Sequence, residues 1–381
     1  MSKILYIGWF GYPETAAGIR VFQIAKLLRE TGNTVSFLCL SQSEIKTDME
    51  VFYDGFRYIR KAQSDSRIEN AINILCGNYD LRELKKVILL EKPDTVIIYN
   101  EKERLTNKII SFCHKHNINV GADVTEWYEA SHSKKWNYIV ARSVDYRIRK
   151  MDVNLDYILS ISPYLTAYYK SVGCKKVIEI PPIMDCIKTE IRSTVKRIRH
   201  LVYAGSPAQK DLIVPFLEAI VKANRYKVRV FADIVGVSKE QVSALLKIDN
   251  PEQNGIIAYG RIPHKQCVEI VESADFSILI RENLRYAKAG FSTKLSESLS
   301  LGVPVLCNTV GGADEIIQNG YNGIKIDSCN SEDIFGAIER ILSMDVDEID
   351  SLKKNALNTA ESFFDGGLYL DVLNKVVNES K

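Results

Sequence analysis

No stretch of this 381-residue sequence approaches the roughly 20 consecutive apolar residues that span a bilayer. Charge of one sign is also lacking. Fifty Lys and Arg against 48 Asp and Glu leave a net +2, far from the basic surplus of a nucleic-acid-binding domain. The cysteines, Cys39, Cys76, Cys113, Cys174, Cys186, Cys267, Cys307 and Cys329, nowhere stand in CxxC spacing, which argues against a zinc or dithiol redox motif. Cys39 and Cys307 fall in apolar runs, where a free thiol packs as a small core residue. A reducing cytoplasm is the expected setting. There is no internal repeat and no low-complexity tract. The opening apolar run Ile4–Phe10 already contains Gly8, and Gly11 and Pro13 follow. It is too short for a signal-peptide core and reads as a first strand.

What is present is ordinary globular material: 46% hydrophobic and 26% charged residues, in a length that suits two domains. Short β-branched runs alternate with amphipathic stretches. Ile4–Trp9, Thr34–Leu40, Thr95–Tyr99, Asn119–Ala122 and Tyr157–Ile161 read as strands, with helices near Gly18–Glu30 and Lys102–His116. After Pro181-Pro182 the pattern restarts. Strands are expected at His200–Ala204, Val228–Ala232, Ile256–Tyr259, Phe276–Ile280, Val303–Asn308 and Gly323–Ile326, with helices between. This is α/β patterning, two doubly wound parallel sheets, and two helices are expected over Ile349–Ser380. Ligands of such sheets bind beyond the carboxyl ends of strands.

The richest such position is RENLRYAKAGFSTKLSESLSLGVPVL, residues 281–306. Arg281 and Arg285 leave a strand, Gly290 precedes a helix starting near Thr293, and Lys294 and Glu297 share a face of that helix. Free N–H groups at Phe291 and Ser292, the helix dipole and Lys294 favour an anion, and a carboxylate one turn on can accept a diol. A plain i,i+3 surface pair explains Lys294 and Glu297 equally well at this point. Gly205-Ser206-Pro207-Ala208-Gln209-Lys210-Asp211 follows another strand end. It is either a phosphate loop using Lys210 or a capping loop in which Asp211 caps the next helix. Gly260-Arg261-Ile262-Pro263 could present backbone to a base edge. Gly18, between the first strand and helix, allows close backbone approach or is simply structural.

In order, G-S-P-x-x-K-D, G-R, D-F-S-I-L-x-R and A-G-F-x-T-K-x-x-E-x-L-x-x-G-x-P-V resemble retaining glycosyltransferases of the GT-B fold, family 4 type, especially those of bacterial surface-polysaccharide clusters. The resemblance covers nearly the whole chain. It implies two Rossmann-like domains facing across a cleft: an acceptor-side domain over 1–181, a nucleotide-sugar domain over 182–355, and helices in 356–381 crossing back. It implies hexosyl transfer from a nucleotide-diphosphate sugar to a glycan or lipid-linked acceptor, with retention. Lys210 would meet the diphosphate beside Gly205 and Ser206. Glu297 would bind the ribose, Ile262 the base, and Gly290, Phe291 and Ser292 the sugar, with Lys294 and Leu295 beside the phosphates.

Two departures stand out. The family's Glu eight residues before Glu297 is Ala289 here, and no histidine follows the strand Asn119–Ala122. Asp123 and Glu126 are the polar groups left there to meet an acceptor hydroxyl, unless Asp123 caps a helix and Glu126 is solvated. Lys210, Lys294 and Arg285 would stabilise the leaving diphosphate, whose oxygen would take the acceptor proton, with no metal, cofactor or protein nucleophile. Residues 131–150 hold six Lys or Arg among Trp136, Tyr138 and Tyr146. They suit either an anionic membrane surface, giving peripheral attachment at its inner face, or a helix packing its aromatics inward. An epimerase and a non-catalytic nucleotide-sugar scaffold are the competing readings, the latter because of Ala289.

Overall fold

The structure is a computed structural model describing residues 1–13, 15–76, 81–129, 135–184, 198–205 and 211–378. The chain forms two compact units. The first comprises Met1–Ile183, Ala289–Phe291 and Gly366–Lys381, the second Met184–Lys288 and Ser292–Asp365.

The first unit is built on eight strands: β1 Lys3–Gly8, β2 Thr34–Gln42, β3 Met49–Tyr53, β4 Phe56–Ala62, β5 Thr95–Tyr99, β6 Asn119–Val124, β7 Tyr157–Ser160 and β8 Val177–Glu179. Their order is β3-β4-β2-β1-β5-β6-β7-β8. Strand periodicity divides the apolar side chains between two cores. Leu5, Ile7, Val96 and Ile98 enter one, and Ile4, Tyr6, Ile97 and Tyr99 the other. That is why the strand sequences are continuously hydrophobic: both faces are covered. The departure from parallel pairing is β3, which runs antiparallel to β4. Asp54 and Gly55 join them, both with positive φ (48° and 76°), as a two-residue hairpin turn requires. Most of β3 is exposed, as befits the edge of the sheet.

The second unit has six parallel strands: β9 Arg199–Ala204, β10 Val230–Val235, β11 Ile256–Gly260, β12 Phe276–Leu279, β13 Val305–Asn308 and β14 Gly323–Ile326. Their order is β11-β10-β9-β12-β13-β14. The strand order reverses between β9 and β12, which is where an open α/β sheet offers its ligand crevice.

The tail Gly366–Lys381 completes the first unit. Helix Leu370–Asn378 adds Leu373, Val376 and Val377 to the core that holds Ile4 and Tyr6. Ser2 Oγ donates to Asn378 Oδ1 at 2.7 Å, and Asn33 Nδ2 donates to Asn374 Oδ1 at 3.2 Å. No helix among the described residues is long and apolar enough to cross a membrane.

One buried ion pair ties this unit together. Asp123, at the carboxyl end of β6, is wholly inaccessible. Arg20 Nε donates to its Oδ1 at 2.9 Å, Arg20 Nη2 lies 2.8 Å from the same oxygen, and Tyr6 Oη donates to Oδ2 at 2.9 Å. Arg20 Nη1 also donates to the Ile180 carbonyl at 2.8 Å. Burial raises the Tyr6 phenol well above its usual range, and the Asp123 charge adds to this. Asp123 therefore neither caps a helix nor faces solvent. Removing one partner of such a pair strands the other charge, which typically costs about 3–5 kcal/mol. Arg20→Met should lower the urea midpoint by a corresponding amount, whereas Arg20→Met with Asp123→Leu should recover much of it.

Candidate functional site

The site grows from the carboxyl ends of β9 and β12. β9 delivers Tyr203 and then Gly205. Asp211 resumes the described chain and forms an antiparallel bridge with Arg281, just past β12. The Asp211 side chain, 5% exposed, is the hub. Arg281 Nε donates to its Oδ1 at 2.8 Å, and Tyr203 Oη donates to its Oδ2 at 2.9 Å. The Lys294 ammonium pairs with the same Oδ2. Lys294 Nζ also lies 4.3 Å from the Tyr203 ring centroid, a cation–π contact. Burial pushes the Asp211 carboxyl upward, but Lys294 and Arg281 outweigh it and hold the group below the usual carboxylate range. For Lys294 burial dominates and lowers the ammonium pKa, with Asp211 opposing it.

Asp211 is thus not a helix cap. Helix Ile213–Ala223 has Leu212 at its N-cap and no side-chain cap bond. Nor are Lys294 and Glu297 a surface pair, since Lys294 turns to Asp211. Glu297 stays solvent-exposed at its surface, yet the protein around it raises its carboxyl pKa, with His264 and then Lys294 opposing.

Gly205 is dictated by the lysine. A Cβ there would lie 2.2 Å from Lys294 Nζ, and its φ of +153° already disfavours a side chain. Ser292 is the N-cap of helix Thr293–Ser300 and makes no side-chain cap bond; its buried hydroxyl has no hydrogen-bond partner among the described residues. The first turn of that helix therefore keeps donors unspent. Leu295 offers less: its side chain is in the interior and its N–H donates to the Ser292 carbonyl at 3.0 Å. Arg281 is locked further by Asn308, whose Oδ1 accepts from Arg281 N at 2.9 Å and whose Nδ2 donates to its carbonyl at 2.7 Å. Ile262 lies between β11 and helix His264–Ser273, whose N-cap Pro263 makes no side-chain cap bond. Arg285 opens the short helix Arg285–Ala289.

Other expected residues fall elsewhere. Ser206 and Lys210 lie outside the described residues. Gly290 and Phe291 group with the first unit, as does Ala289, which is fully buried. Gly18 has a local explanation. Its N–H donates to the Thr15 cap at 3.1 Å, and a Cβ would lie 2.0 Å from the Tyr12 carbonyl oxygen. Glu126 is half-buried beyond β6. Tyr203 and the hub role of Asp211 went unread in the sequence; the signal available was a tyrosine and an aspartate flanking one strand-end loop. No group of three or more metal-ligating side chains occurs among the described residues.

Residues 201–359, which take in nearly all of β9 to β14, match the family model described as Glycosyl transferases group 1. An uncharacterized glycosyltransferase of Methanocaldococcus jannaschii is 27% identical over 153 residues, which is 39% of this chain and only 36% of that protein's length. In fold the whole chain is similar to sucrose-phosphate synthase from Thermosynechococcus elongatus, with a TM-score of 0.74 and 14% identity over 100% of this chain and 99% of that one. It is also similar to Anabaena HepE, solved with UDP and glucose, with a TM-score of 0.67 and 15% identity over 100% and 99%. At those identities the structures speak for fold alone. The chain has the GT-B fold, and residues 201–359 of its second unit are what match the group 1 model.

Asp211→Asn should destabilise the second unit, by about 3 kcal/mol if it follows other buried pairs that lose one partner. The carboxyl pKa is lowered in the folded state, so its contribution is complete above the ordinary aspartate value of about 3.9 and is lost as pH falls through the lower folded value. Urea unfolding at pH 7 and pH 3 should show the gap between wild type and variant closing in acid. An equal gap at both would remove the ion-pair account.

Proposed function

We propose that this chain is a glycosyltransferase that moves a hexose from a nucleotide-diphosphate sugar to a glycan or lipid-linked acceptor, with retention. The observation that carries the reading is the Asp211-held pair of cations, Lys294 and Arg281, beside the uncapped helix Thr293–Ser300, inside a group 1 domain. A fixed pair of positive groups beside free helix N–H donors suits a diphosphate leaving group. Glu297, three residues after Lys294, is assigned to the ribose hydroxyls, and the backbone at Ile262 to the base. Gly205 keeps the floor open beneath the lysine. Arg285, and Lys210 with Ser206 on the resemblance alone, extend the phosphate site; Gly290, Phe291 and Ser292 extend it toward the sugar.

In the proposed step the anomeric carbon–phosphate oxygen bond breaks and the acceptor oxygen bonds the same face. The departing phosphate oxygen receives the acceptor proton. Charge on the leaving group is met by Lys294, Arg281 and the helix end, so the proposal invokes no metal. Glu126 is the acceptor-side carboxylate of this scheme, since Asp123 is occupied by Arg20 and Tyr6. The family 4 type, a role in surface-polysaccharide synthesis and contact with an anionic membrane belong to the same proposal. The sequence resemblance is what supports them, and the UDP and glucose bound by the Anabaena protein support only the nucleotide-sugar donor.

Calorimetric titration with a panel of nucleoside diphosphates, followed by turnover of the matching sugars, tests it. Glu297→Ala should weaken binding of the preferred nucleotide about 10- to 100-fold, the worth of hydrogen bonds to a charged group. Gly205→Ala should weaken it too, by displacing Lys294. Wild-type affinity and turnover in Glu297→Ala would end the ribose assignment. Affinity should also fall as pH rises, at a pH below the ordinary lysine value of about 10.4, because burial lowers the Lys294 pKa. Lys294→Arg should move that fall to higher pH, and a flat wild-type profile through pH 10 would show that the ammonium is not required.

A further inference from the structure

A second cationic cluster lies within the first unit. A cavity of about 460 Å³ opens between helix Glu103–Lys115 and helix Lys135–Tyr146. Tyr138, Arg142 and Tyr146 recur every four residues, so they line one face of the second helix. That face meets Glu103 and Arg104 in the first turn of the other helix, where Glu103 N donates to Ser143 Oγ at 3.3 Å. The first helix follows β5 in a parallel sheet, so this turn lies at the carboxyl edge.

The charges here are unbalanced in a particular way. The acid of the second helix, Asp145, is already engaged by Arg149 at 3.0 Å and by Trp127 Nε1 at 2.8 Å. Neither Arg104 nor Arg142 has an ion-pair partner among the described residues. Glu103 is the opposing charge on the lining and is bonded to neither. N-cap Lys102 offers no side-chain cap, so the helix dipole adds to the positive side. Arg147, immediately after Tyr146, is not part of this lining: it is buried and faces Asp152, with Nε 3.3 Å from Oδ2. The tyrosines and Ile139 remain 41–50% exposed and form an apolar wall beside the two guanidiniums.

We propose that this cavity binds the phosphate group of an organic phosphate, held between Arg104 and Arg142 with the organic part against Tyr138 and Tyr146. Planar guanidinium groups match phosphate oxygens in pairs, and aromatic faces accept the C–H face of a sugar or a glycerol backbone. The inference rests on the glycosyl-transfer reading only in assigning this phosphate to the acceptor, and it gives that acceptor an anionic group.

The test uses the full chain. Glucose 1-phosphate, inorganic phosphate and glucose are titrated by calorimetry, and vesicles of phosphatidylglycerol or phosphatidylcholine by flotation. Each is run on wild type, Arg104→Ala/Arg142→Ala, Tyr138→Ala and Lys294→Ala. Glucose 1-phosphate or phosphatidylglycerol vesicles should bind wild type. The double variant should lose at least about tenfold, the worth of one charged contact, and Tyr138→Ala should lose less. Lys294→Ala should retain the binding, which separates it from the donor site. Whichever of the two probes responds identifies the source of the phosphate. Loss of neither in the double variant, no binding to wild type, or equal binding of inorganic phosphate would overturn the proposal. Nucleoside diphosphate binding by the double variant reports on the donor reading independently: retained, it leaves that reading standing whatever happens here.

Discussion

A carboxylate hidden from water is costly unless its charge is met, and Asp211 is met twice over, by the guanidinium of Arg281 and the ammonium of Lys294, with the Tyr203 hydroxyl completing the set. Much of the second unit's carboxyl edge follows from that requirement. Arg281 must lie where the chain leaves β12, and Asn308 and Cys329 hold its backbone there, the Cys329 thiol donating to the Arg281 carbonyl at 3.1 Å. Lys294 must reach back over the end of β9, so residue 205 has no room for a side chain. Two flexible cations thereby have fixed positions, which is the preorganisation the proposed diphosphate site would use.

The first unit solves a similar problem to a different end. Arg20 and Asp123 pair one cation with one anion, and Tyr6 and the Ile180 carbonyl add hydrogen bonds to the pair. Around Asp211 two cations share one anion, leaving a net positive charge and an open helix end. The two clusters differ in stoichiometry, which burial does not reveal, since both aspartates are hidden.

Much of this architecture was legible in the sequence because periodicity is local. Thr95–Tyr99, Gly323–Ile326 and the helix Thr293–Ser300 have the bounds that their apolar spacing gives. Lys294 and Glu297 could be singled out since a strand, a glycine and a helix adjoin in one short stretch. The partner of Lys294 could not, because Asp211 is 83 residues away and sequence offered a local role for it, as a cap. Asp123 was misread for the same reason: its partner Arg20 is 103 residues distant, and a strand-end aspartate looks like a site until the arginine beneath it is seen. The β3–β4 hairpin was legible but went unread: two aromatic-rich runs, Met49–Tyr53 and Phe56–Ala62, flank an Asp54-Gly55 turn.

The return of Gly366–Lys381 to the first unit bears on how the molecule is made. During synthesis Met184–Asp365 leaves the ribosome before the residues that close the older unit have been translated. Leu373, Val376 and Val377 fill a core begun by Ile4 and Tyr6, so that core stays open to water while the later unit is folding. The unit that starts first is therefore the one that finishes last, joining segments 376 residues apart, Ser2 to Asn378.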